Sequence, residues 1–149
     1  MREPDAADLI AMTDALDRAV DAKDFAAARA MFADTIWFSA EALGAAGGDM
    51  PADALIAAWA RNLNRHKHSF HMRTNHQVAF DGDGRATVRS AGYAWNRLDS
   101  LGDALWEVWG DYVHRFARID GRWRIVGFDL VVRHQRGDFA VRDTLPPED

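Results

Sequence analysis

The sequence predicts an α+β domain in which a strongly curved, mostly antiparallel sheet forms a cone-shaped barrel around three N-terminal helices. Two observations carry this. Apolar residues recur at helical spacing as far as Leu63 and then alternate with period two. The alternating runs are longer than average strands, which favours strong curvature over a flat sheet. A chain of 149 residues suits one domain, expected over 1–136, with 137–149 as a C-terminal tail.

The first helix is expected from Pro4 or Asp5 to Val20, because Pro4 suits a first turn and Leu9, Ile10, Thr13, Leu16 and Val20 form an apolar stripe. The chain breaks at Asp21-Ala22-Lys23-Asp24, and Asp24 is a candidate N-cap for a short second helix through Phe32. A strand, Ile36–Ala40, follows. Gly44–Asp49 reads as a glycine-rich loop; it lacks the strand-to-helix GxGxxG and the Lys-Ser/Thr of a phosphate cradle. A third helix starts at Pro51 and carries Leu55, Ile56, Trp59 and Leu63 on one side. The long strands are expected over His68–Phe80, Ala86–Leu98, Leu105–Ile119 and Arg122–His134. Asp81-Gly82-Asp83-Gly84 and Asp120-Gly121 are the tight turns between them, and 99–103 is a longer loop. The tail, with Pro146-Pro147, is expected either weakly ordered or laid over a neighbour.

Hydrophobic residues at 48% and charged residues at 28% give an ordinary globular balance, which argues against disorder. No apolar run reaches membrane-spanning length, and the first five residues do not read as a signal peptide. The absence of cysteine removes disulfides, thiol nucleophiles and thiolate metal sites, and cytoplasmic residence is the simplest expectation. A net charge of −5 speaks against a nucleic-acid partner. The local cluster Arg61, Arg65, Lys67 and Arg73 reads instead as cations offsetting a helix C-terminus.

His66, His68, His71 and His76 lie on or just before the first long strand. Simple alternation puts His66, His68 and His76 on one face and His71 on the other. No carboxylate or cysteine sits at a familiar ligand spacing, so no metal is expected. His71 is the candidate for taking or relaying a proton in a closed apolar pocket. On the third long strand, alternation groups Trp106, Val108, Gly110, Tyr112 and His114. If that face lines the pocket, the Tyr112 hydroxyl could orient a substrate oxygen. Trp37, Trp59, Trp106 and Phe128 are candidate wall residues, with Asn96 at the mouth and Asn75 at a bulge. Core packing is the alternative for each.

The segments His71-x-x-x-Asn75, Phe80-Asp81-Gly82-Asp83-Gly84-Arg85-Ala86, Gly110-Asp111-Tyr112 and Asp120-Gly121-Arg122-Trp123-Arg124-Ile125 resemble SnoaL-like domains of the nuclear-transport-factor-2-like superfamily. The resemblance covers nearly the whole chain. It implies the cone-shaped fold and a choice among dehydratases, isomerases, cyclases, a dehydrochlorinase and non-catalytic binders. Val20–Phe25 is similar to the stretch of scytalone dehydratases that carries the catalytic aspartate, which falls on Asp21. The surroundings of Trp37, His71 and Asn75 are similar to hexachlorocyclohexane dehydrochlorinases, whose catalytic histidine falls on His71. The resemblance therefore implies an Asp21–His71 dyad; His76 competes in an alignment to the dehydratases alone, where a second active-site histidine has Asn96 as its nearest counterpart. Basic residues that assist the dehydrochlorinases fall on Leu16 and Phe128, which counts against that reaction.

The expectation is a lyase or isomerase without a cofactor, acting on a small, largely apolar molecule. The alternative is a binding or oligomerisation module of the same fold, in which Asp21 tightens the helix junction and His71 is a satisfied core histidine. Tyr93, Trp95, Trp109 and the Thr87-Arg89-Ala91 alternation give the outer sheet face bulk and charge. A homo-oligomer built sheet to sheet is expected there, a dimer first and a trimer as the alternative.

Overall fold

A computed structural model describes residues 3–149. Four helices and six strands follow the order α1 (Glu3–Asp21), α2 (Phe25–Ala30), β1 (Phe32–Ala40), β2 (Ala45–Pro51), α3 (Ala52–Asn62), β3 (Lys67–Asp81), β4 (Arg85–Leu98), β5 (Trp106–Ile119), β6 (Arg122–Gly137) and α4 (Phe139–Asp143). The strands form one sheet in the order β2-β1-β6-β5-β4-β3. All neighbours are antiparallel except β1 and β6, which run parallel. The sheet is curled but not closed, so β2 and β3 remain edges. Among the described residues no helix is long and apolar enough to cross a membrane.

The first helix forms for the reason its sequence suggests: Leu9, Thr13, Leu16 and Val20 are buried on one stripe. It ends in a Schellman arrangement, with Asp24 N–H donating to Ala19 O at 2.8 Å and Lys23 N–H to Val20 O at 3.0 Å. Asp24 then caps α2 by accepting from Ala27 N–H at 3.0 Å. The α2 helix stops at Ala30 and Phe32 already belongs to β1, earlier than the apolar spacing suggests. Its Phe32 ring packs edge-on against Trp59 of α3, with centroids 6.0 Å apart. The main core lies between α1, α3 and the concave sheet face, around Leu16, Ile36, Leu55, Val88, Phe116 and Ile125.

Three features depart from the sequence reading. Gly44–Asp49 is not simply a loop, because 45–51 pairs with β1 as the edge strand β2. Its glycines hide the strand pattern, and one of them has a packing use: a β-carbon on Gly47 would meet the Trp37 ring at 2.4 Å.

The tail is not loose. Val141 is fully buried, and Lys67 Nζ donates to the carbonyls of Arg142 at 3.1 Å and Thr144 at 3.0 Å. Arg61 and Asn64 donate to the carbonyls of Pro146 and Pro147. Arg61, Arg65 and Lys67 are thus fasteners for the tail rather than general dipole cations, Arg65 pairing with Asp149 at 3.0 Å.

The third departure decides the site. The bulge expected at Asn75 is present: the β3–β4 register shifts between Thr74 and Gln77, and Asn75 takes a left-handed φ of 53°; what departs is the alternation beyond it. This bulge inverts the alternation, so the inward positions are 71 and 73 before it and 76, 78 and 80 after it. His76 therefore shares its face with His71 and not with His68.

Candidate functional site

Three acidic residues of α1, Asp14, Asp17 and Asp21, recur at spacings of three and four and present one helical face to β3. The inward face of β3 answers with His76, Arg73 and His71, in reverse chain order. The result is a ladder of three carboxylate–base pairs. His71 Nδ1 lies 2.6 Å from Asp21 Oδ1, Arg73 donates from Nε and Nη2 to Asp17 at 2.5 and 2.7 Å, and His76 Nε2 lies 3.0 Å from Asp14 Oδ1.

The Asp21–His71 rung is the most elaborated. Asp21 Oδ2 also accepts the backbone N–H of His71 at 2.8 Å, and Oδ1 accepts the Ser69 hydroxyl at 2.8 Å. Burial pushes the Asp21 carboxyl up, but hydrogen bonds and charge from His71, with help from Ser69, outweigh it and hold the group below its ordinary value. An ionised carboxylate on Nδ1 fixes that nitrogen as the proton carrier and leaves Nε2 as the lone-pair nitrogen.

His71 borders a half-open cavity of about 180 Å³ between α1, α3 and the sheet. Of the sequence candidates, Trp59, Asn96, Trp106, Val108, Tyr112 and Phe128 line this same space. The Tyr112 ring packs against Gly92, where an added β-carbon would meet it at 2.2 Å, and the Arg73 guanidinium lies over the ring 3.6 Å from its centre. Burial, opposed by Arg73, pushes the Tyr112 hydroxyl up to about 12, so it stays protonated and able to donate near neutral pH. No hydrogen bond engages that hydroxyl among the described residues.

Two candidates stand apart. Trp37 is 38% exposed and donates from Nε1 to Asp129 at 2.7 Å on the outer sheet face, so it is no part of the cavity wall. Its neighbours Ile36 and Phe38 take the inward positions, and Phe38 lines the cavity instead. Asp21 stands behind His71, bordering an open groove along the β3 edge rather than the cavity itself.

Asp17 and Arg73 border both the cavity and this groove, and sequence reasoning missed them. The available signal was the acidic spacing on α1; the reply from β3 was obscured by the bulge. His114, also on the inner face of β5, is fully buried with neither ring nitrogen partnered. Burial holds it well below its ordinary value, hence neutral, against the Phe128 ring at 4.7 Å. Among the described residues no group of three His, Asp or Glu side chains could hold a metal.

A family model described as a SnoaL-like domain matches residues 4–129. Among solved structures, the Kfla4162 protein of Kribbella flavida is similar at 24% identity over 95% of this chain and 99% of that one, with a TM-score of 0.87. A scytalone dehydratase-like protein of Novosphingobium aromaticivorans is similar at 18% identity over 86% and 83%, TM-score 0.75. A type 2 hexachlorocyclohexane dehydrochlorinase (LinA) is similar at 13% identity over 85% and 83%, TM-score 0.73. No curated protein matches the sequence.

Proposed function

The chain belongs to the SnoaL-like domain family, and on that premise we propose that it is a cofactor-independent lyase or isomerase whose base is His71. The observation that carries the reading is a 2.6 Å bond from Asp21 to the back of an imidazole that borders a half-open, largely apolar cavity. Nε2 of His71 takes a proton from a carbon or hydroxyl of the substrate. Asp21 stabilises the imidazolium that forms, without itself taking the proton. Tyr112 donates to a substrate oxygen on which charge develops. The imidazolium then returns its proton to a departing hydroxyl, eliminating water, or to another carbon, completing an isomerisation or ring closure.

The space is small. A cavity of about 150 Å³ holds one benzene, so about 180 Å³ admits a molecule of roughly one ring. The similar dehydratase-like and dehydrochlorinase structures lend general support to elimination chemistry. Leu16 and Phe128, however, bring apolar surface to the cavity where the dehydrochlorinases have basic residues, which favours loss of water over loss of chloride. The same apolar lining suits the alternative, a ligand-binding module without turnover.

For partners we propose a second copy of the chain against the outer sheet face. Phe70, Met72 and Val131 are exposed there beside the stacked Trp95. The charges of that face, Arg133 with Asp111 and Arg136 with Glu107, already pair within one copy and so would not repel another.

The test is exchange of carbon-bound hydrogen for deuterium in heavy water, followed by NMR over a panel of small cyclic ketones and β-hydroxy ketones. Exchange with at least one of them, lost in His71→Ala, is the expected result. Exchange that persists in His71→Ala would remove the base assignment, and binding without any exchange would favour the binding module.

A further inference from the structure

The Asp21–His71 pair does not stand alone at its rear. Ser69 sits two residues before His71 on β3, and its hydroxyl donates to Asp21 Oδ1 at 2.8 Å, the same oxygen that receives the imidazole. Lys23 Nζ approaches this hydroxyl at 3.4 Å and donates to the Lys67 carbonyl at 2.8 Å. Ammonium, hydroxyl, carboxylate and imidazole thus follow one another from the helix junction to the cavity wall.

The backbone at Lys23 adds an independent observation. Lys23 occupies the Schellman position that normally takes glycine, with φ at 62°. A side chain there costs stability that glycine would spare. The helix junction needs no lysine for its own geometry, since the capping bonds come from backbone groups. What the side chain gains is its reach to the β3 edge. Strain retained in this way marks a position where the side chain has a use.

Resting on the proposed role of His71 as base, we infer that Ser69 and Lys23 are positioning residues that share the charge of Asp21 and hold the carboxylate ionised. Ser69 donates to the same carboxylate oxygen that faces Nδ1 and so draws charge away from the imidazole. Lys23 keeps Ser69 aimed and adds positive charge behind the carboxylate. Both also temper the attraction of Asp21 for the imidazolium, so that His71 can release its proton again. The other charged groups around the pair are Asp17 and Arg18 on α1 and Arg73 on β3. Asp17 and Arg73 are engaged with each other and are left untouched in the variants below.

The experiment is an NMR titration of His71 in the whole protein, which needs no substrate, beside the deuterium-exchange rate where a substrate is in hand. Ser69→Ala removes the donor to Asp21, and Lys23→Gly removes the ammonium while giving the junction its preferred residue. Both should raise the His71 midpoint by roughly half a pH unit, because the carboxylate charge is shared less. Ser69→Thr, which keeps the hydroxyl, should return it to the wild-type value. Lys23→Gly should be at least as heat-stable as the wild type, so its effect cannot be ascribed to unfolding. Midpoints equal to wild type in both variants, or lowered as by simple loosening of the pair, would overturn the inference. Unchanged midpoints with His71-dependent exchange would remove the network and spare the base. Raised midpoints in a protein that exchanges nothing would do the reverse.

Discussion

Two Asp–His pairs join the same helix to the same strand, and only one is built like a site. His71 and His76 are similarly buried, with side chains 18% and 13% exposed. Their carboxylates differ: Asp14 is 47% exposed and offers a single contact at 3.0 Å, whereas Asp21 is 19% exposed and accepts three hydrogen bonds. His76 is held through Nε2 and does not border the cavity; His71 is held through Nδ1 and does. An acid beside an imidazole is therefore not enough. What distinguishes the rung at 71 is a carboxylate immobilised through both oxygens and an imidazole that borders the cavity.

The largest expected effect breaks the comparison at its chemical end. Asp21→Asn should lower the exchange or turnover rate by about 10²–10⁴-fold. Asp14→Asn should leave it within about threefold, since an exposed single contact supports little. Equal losses in the two variants would show that the rungs are not functionally distinct.

Next comes the middle rung. The Asp17–Arg73 side chains are 10% and 3% exposed, so Arg73→Met strands a buried carboxylate and should cost about 3–5 kcal/mol in urea unfolding. The double variant Asp17→Leu/Arg73→Met should recover most of that loss, because no lone charge remains buried. By contrast, Arg133→Met at an exposed pair should cost no more than about 1 kcal/mol.

The smallest effect lies in the pH dependence of stability. Asp21 is held below its ordinary value when folded, so its contribution is fully present above the unfolded pKa. It is lost as pH falls through the lower folded pKa. The stability difference between wild type and Asp21→Asn should narrow as the solution is acidified below about pH 4. A gap that goes on widening below about pH 4 would contradict the charge state assigned to Asp21.

Much of this could be read from the chain. Alternation along β5 grouped Trp106, Val108 and Tyr112, and all three line the cavity. The β5–β6 register shifts between Trp109 and Gly110, but the extra residue there lies on β6, so β5 itself keeps period two. On β3 the same rule failed beyond Thr74. The bulge expected at Asn75 is there, but simple alternation carries straight through it; one residue in a left-handed conformation moved His76 across the sheet. Trp37 was misjudged for a different reason: a tryptophan in an apolar run carries no sign of which face it takes until the partner strands are known.

β2 and α4 were not legible in the sequence by itself, whereas three N-terminal helices, the strand before the third of them, four long strands, the turns between them, the apolar stripe of α1 and the family resemblance were. Each of these depends on interactions between residues near one another in the chain. The tertiary structure alone decided which acid meets which base, that the tail is fastened by Arg61, Asn64 and Lys67, and that a cavity of ring size remains beside His71. Those depend on the curl of the sheet and the placement of one bulge, which bring together residues some fifty positions apart.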